Sequence, residues 1–141
     1  MLYSPMMVQP MREDLTRIGF KELLTAEDVG VALDGVEGTA LVVVNSVCGC
    51  AAGKARPGVA LALGHDTVPD SLYTVFAGME IEATERVRDH FIGYSPSSPQ
   101  IALFKDGALV HIQERKDIEG REAEAIAADL TAAFDEHCGA A

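Results

Sequence analysis

The chain has 141 residues, 48% of them hydrophobic and 23% charged, with a formal net charge of −11. That length is enough for one domain (1-141) with a real hydrophobic core, and the composition argues against disorder. The acidic balance disfavours nucleic acid, no stretch is apolar for long enough to span a membrane, and MLYSPMMVQPMREDL lacks the basic and apolar regions of a secretory signal, so a soluble, cytoplasmic protein is expected.

In chain order, Met11, Leu15 and Ile18 fall at helical spacing between Pro10 and Gly19 and predict a first helix. Thr25 followed by Asp28 resembles a capping box, predicting a second helix to about Leu33. After breaks at Asp34-Gly35 and Glu37-Gly38, the run Leu41-Val42-Val43-Val44 reads as a buried strand. Ala51 to His65 reads as a helix of small residues that Pro57 should kink or restart. Ser71 to Phe76 is a second strand, and Ile81 to Phe91 an amphipathic helix with Val87 and Phe91 four apart. IALFKDGALVHIQ reads as a hairpin turning at Asp106-Gly107. Glu119 to His137 is a last helix, with Ile126, Leu130 and Phe134 on one face. Alternation of strands and helices up to the third strand predicts parallel pairing, and the hairpin predicts an antiparallel edge.

Two of the three cysteines, Cys48 and Cys50, are separated by Gly49 in a small, flexible segment directly after the valine strand. There they are placed for access rather than for filling a core. Zinc is the competing reading, but structural zinc sites usually take four ligands, often as two close pairs. Cys138 and the histidines 65, 90, 111 and 137 supply no second compact pair, so no metal is expected. Cys138 reads as a spectator, and the histidines as ordinary surface or half-buried residues.

The layout of strand, cysteine turn, helix and later a proline loop feeding a hairpin is similar to the thioredoxin fold. SPQIALFKDGALV resembles the segment of that fold in which a cis-proline precedes a strand and hairpin. NSVCGCAAGKARPG, with QPMREDLTRIGF upstream, closely resembles the bacilliredoxin family over nearly the whole chain. The resemblance implies an α/β, thioredoxin-like fold: a central mixed sheet of about four strands flanked by helices, with an N-terminal helical extension. It also implies a cis bond at Pro99, with Ser98 beside the cysteines and its backbone pairing with an incoming peptide.

By the same resemblance, Cys48 is the attacking thiol and Cys50 its resolving or second redox thiol, with Gly49, Ser98 and Pro99 at the substrate. The implied function is a thiol–disulfide oxidoreductase that removes bacillithiol from bacillithiolated client proteins. Bacillithiol is then the thiol co-substrate, with no cofactor tightly bound and the protein a monomer or weak homodimer. A general disulfide isomerase or reductase is the alternative, as is a non-enzymatic module binding metal through its CxC.

The residues support this chemistry independently. A thiol at a strand-to-helix turn lies near free backbone N–H groups and the positive helix end, which favour the attacking thiolate. The Cys-Gly-Cys ring is tighter than Cys-x-x-Cys, so its disulfide is expected to be oxidising, and Gly49 is the residue best able to accept the bend. Val47 stands where thioredoxins carry a tryptophan, and the chain has no Trp. Lys54 and Arg56 are candidates for steering the carboxylates of bacillithiol.

Overall fold

The computed structural model describes residues 3–139. Its central strand is β2 (Thr39–Asn45), buried at all seven positions. With β1 (Lys21–Glu22), β3 (Ser71–Phe76), β4 (Gln100–Lys105) and β5 (Ala108–Gln113) it forms one five-stranded sheet in the order β1-β3-β2-β4-β5. The sheet is mixed. β3 runs parallel to β1 and β2, β4 antiparallel to β2, and β5 antiparallel to β4.

The valine run is continuous because both faces of β2 are covered. Successive residues of a strand point to opposite sides. Leu41 and Val43 join Ile101 and Leu103 in one core, with Val59, Ile126, Leu130 and Phe134. Val42 and Val44 join Ala102 and Phe104 in the other, with Val29, Leu33, Val87 and Phe91. The first core lies under α3 (Arg56–Ala62) and α6 (Ala123–His137), the second under α2 (Ala26–Leu33) and α4 (Ile81–Arg88). Gly58 lets α3 and α6 touch: a Cβ there would lie 2.8 Å from Ile126 Cγ2 and 3.2 Å from the Ala123 carbonyl oxygen.

Several elements differ from the sequence reading in instructive ways. α1 (Pro5–Thr16) starts earlier and contains Pro10, which lies on its exposed side, where water can serve the carbonyl left without a donor. Around Pro57 the helix changes pitch: Ala51–Ala55 forms a wider π-helical turn, and Pro57 falls in the first turn of α3. β4, expected in parallel alternation, is antiparallel to β2, because the loop after α4 delivers the chain to the end of the sheet where β2 finishes. Gln100 accordingly pairs with Val44, and Lys105 with Thr39. The fifth strand, β1, is only two residues long and has no periodicity to read.

Two local readings hold closely. Thr25 Oγ1 accepts the Asp28 N–H at the start of α2. Asp106 and Gly107 turn the hairpin with φ of 52° and 83°, the positive values such a turn requires. The predicted final helix, Glu119 to His137, is α6, which starts four residues later at Ala123. A short α5 (Arg115–Glu119) precedes α6, started by a reciprocal cap between Glu114 and Asp117.

Candidate active site

β2 ends at Asn45, and the turn after it is held by side chains from three elements. Asn45 Oδ1 accepts the Ser46 N–H at 2.9 Å and Arg56 Nη1 at 2.9 Å, while its Nδ2 donates to the Met11 carbonyl at 3.0 Å. Arg56, only 5% exposed, also donates from Nη1 to the Ser46 carbonyl at 3.0 Å and from Nε to Asp14 Oδ2 at 2.9 Å. A buried guanidinium with these partners fixes α1, the turn and the first helix residues as one unit.

The cysteines lie on this support. Cys48 is half-buried, and Ser46 Oγ donates to its sulfur at 3.2 Å. Burial pushes the Cys48 thiol up, but hydrogen bonds from Ser46 and from the Ala51 and Cys50 N–H groups, with the charge of Arg115, bring it below the ordinary thiol range. Cys50 is treated in the opposite way. Its burial, the neighbouring Cys48 and the Glu119 carboxylate all raise its pKa, and its sulfur lies 3.5 Å from Glu119 Oε2.

Arg115 and Glu119, four residues apart on α5, complete this separation of charge. Arg115 Nε donates to Glu119 Oε2 at 2.9 Å, and that bond with the Cys50 contact holds the Glu119 carboxyl below its usual range. One ion pair thus presents its positive member toward Cys48 and its negative member toward Cys50. The attacking form is favoured at one sulfur only.

The proline loop closes the site from the other side. The Ser98–Pro99 peptide bond is cis, and the Ser98 carbonyl oxygen lies 3.9 Å from Cys48 Sγ. Gly49 is exposed, its φ lies outside the left-handed region, and a Cβ there would meet nothing within 4 Å. In this reduced form the backbone does not require glycine at 49; the missing side chain leaves the thiols open instead.

The family model described as "Disulphide isomerase" matches residues 3–138. A bacilliredoxin of Koribacter versatilis is 56% identical over 139 residues, covering 99% of this chain and 96% of that relative. A bacilliredoxin of Halalkalibacterium halodurans is 54% identical over 136 residues, covering 96% and 94%. The chain belongs to the bacilliredoxin family. The thioredoxin of Fasciola hepatica superposes with a TM-score of 0.58 at 20% identity, covering 84% of this chain and 99% of that one. At that identity the likeness establishes the fold, and the fold is that of thioredoxin. Bacilliredoxin relatives over nearly full length and a thioredoxin fold together make this a thiol–disulfide oxidoreductase.

Other sequence-predicted residues of this bacilliredoxin-family chain fall elsewhere. Arg56 does not face a ligand, because its guanidinium is spent on Asp14, Asn45 and Ser46. Lys54 pairs with Glu122 at 3.3 Å. Cys138 is half-buried near Thr39, at the far end of β2 from Cys48, roughly 20 Å away at strand rise. It cannot meet the CGC pair. His65 pairs with Asp135 and His90 with Asp34, and burial lowers the pKa of His111. Among the described residues no group of three His, Cys, Asp or Glu side chains converges as metal ligands would. Ser46, Arg115 and Glu119 were not singled out by the sequence. For α5 a signal existed: Glu114-x-x-Asp117 is a capping box without the usual Ser or Thr.

Proposed function

We propose that this protein frees protein cysteines from bacillithiol by exchange at Cys48. The observation that supports the reading is the opposite treatment of two neighbouring thiols, one lowered in pKa by Ser46, backbone N–H groups and Arg115, the other raised beside Glu119. In the first step the Cys48 thiolate attacks the bacillithiol sulfur of a client's mixed disulfide. The bond to the client breaks, and the client sulfur leaves as a thiolate that takes a proton from water. Cys48 now carries bacillithiol. A second bacillithiol, as thiolate, attacks the bound bacillithiol sulfur, yielding bacillithiol disulfide and restoring Cys48.

Cys50 offers a second exit: its attack on the Cys48 sulfur releases bacillithiol and leaves a Cys48–Cys50 disulfide. Its raised pKa reduces the reactive thiolate, which favours resolution by free bacillithiol. In this reading Ser98 and the cis Pro99 present backbone to the client beside Gly49, no cofactor is tightly bound, and a single domain acts in the cytoplasm as a monomer or weak homodimer. General disulfide isomerase work is the second reading, supported by the description of the matching family.

The test is mass spectrometry of protein quenched in acid after mixing with a bacillithiolated client. The expected product is bacillithiol on Cys48, absent in Cys48→Ala and accumulating in Cys50→Ala. First modification at Cys50, or disulfide shuffling without any bacillithiol adduct, would turn the assignment toward the second reading.

A further inference from the structure

Two arginines, Arg88 and Arg115, line the groove beside Cys48. It encloses about 330 Å³ and is lined by Ser46, Cys48, Ser98, Arg88, Arg115 and Tyr3, with no acidic residue in its wall. That is unusual in a chain with 22 acidic and 11 basic residues. Arg88, at the end of α4, donates from Nη2 to the Ser97 carbonyl at 2.8 Å. Its Nε is buried without a partner, and among the described residues no salt bridge includes it. Burial lowers the pKa of this guanidinium despite the opposing charge of Glu85 one turn earlier on α4, a cost that an incoming anion would relieve further. On the other side of the groove, Arg115 engages Glu119 through Nε.

We propose that Arg88 and Arg115 form an anion subsite that binds a carboxylate of the low-molecular-weight thiol. The inference rests on the exchange chemistry proposed above and names which half of the mixed disulfide the site holds. A planar guanidinium fork suits a carboxylate better than a point charge does. With the carboxylate held between the arginines, the small thiol's sulfur faces Cys48 and the client's sulfur becomes the leaving group. The subsite thereby selects the direction of exchange. Arg88 is the arginine that can be changed by itself, because Arg115 also acts on the Cys48 thiolate.

The test uses a one-cysteine client blocked either by bacillithiol, which is anionic, or by 2-mercaptoethanol, which is neutral. Second-order rate constants for Cys48 attack are measured with both, and their ratio is the readout. For Arg88→Gln the bacillithiol preference should fall about tenfold, the factor equivalent to one lost charge-assisted hydrogen bond. Arg88→Lys should restore part of it, and thiolate absorbance should place the Cys48 titration where it is in the wild type. An unchanged ratio, whether both rates persist or both fall, would overturn the subsite and leave Arg88 as a brace for the Ser97 loop. A wild type that attacks both adducts equally also overturns the subsite, while sparing the role of Cys48. A wild type inert toward both overturns the exchange reading itself.

Discussion

Ser46 Oγ lies 3.2 Å from Cys48 Sγ and gives that sulfur a hydrogen bond that strengthens when the thiol ionises. Ser46 is itself buried, so the hydroxyl has little water to compete for it. Ser46→Ala should therefore raise the Cys48 pKa. Hydrogen bonds to charged groups contribute roughly 1.5–3 kcal/mol, so attack at neutral pH should slow by about tenfold or more. The rate should recover as pH rises past the new pKa. Absorbance titration of the thiolate with exchange rates across pH checks both; a pH-independent loss would mean that Ser46 acts through the shape of the turn instead.

The two thiols should give opposite pH dependences of stability. Cys48 has a folded-state pKa below that of an unfolded thiol, about 8.5. Its contribution is fully present above that value and is lost as pH falls through the folded pKa. Cys50 has a raised folded-state pKa, so its contribution is present below the unfolded value and is lost as pH rises through the folded one. In reduced Cys50→Ser protein, denaturant midpoints should rise from neutral pH to about 8.5 and then level off. In Cys48→Ser they should decline above about 8.5. Matching profiles would contradict the separation of charge.

Glu119→Gln removes a carboxylate that keeps Cys50 protonated. The Cys50 pKa should fall, and Cys50 should resolve the Cys48 mixed disulfide faster. Trapping with acid at short times would then find less bacillithiol adduct and more Cys48–Cys50 disulfide than in the wild type. An equal or greater adduct fraction would show that Glu119 does not control this branch.

Arg56→Met probes the support under the site. The change strips hydrogen bonds from Asp14, Asn45 and the Ser46 carbonyl. Breaking a fully buried ion pair costs 3–5 kcal/mol, and Asp14 is 40% exposed, so a loss of about 2–3 kcal/mol is expected in urea unfolding. Its effect on exchange should appear as slower attack with both anionic and neutral adducts, because the Ser46–Cys48 turn loosens. A loss confined to the bacillithiol adduct would restore Arg56 as a ligand-steering residue.

Local sequence determined a good deal here. The valine run reads as a buried strand, Asp106-Gly107 as a hairpin turn and Thr25 as a helix cap; each depends on residues within a few positions of one another. The CGC stretch likewise set two thiols around a glycine after a buried strand, placed for access rather than packing, and its resemblance to the bacilliredoxins supplied the expected chemistry. The electrostatic assignment of those thiols was a different matter. Arg115 and Glu119 lie more than sixty positions from Cys48 and Cys50, and only the sheet order, which sets β4 and β5 beside β2, brings them to the sulfurs. Arg56 shows the converse: near the cysteines in sequence, it turns inward because Asp14 and Asn45 satisfy its charge there. Charge acts through space, whereas sequence spacing reports only neighbours along the chain. The thiol pair could thus be read from the string of residues, but what sets the two thiols apart electrostatically was decided by the tertiary fold.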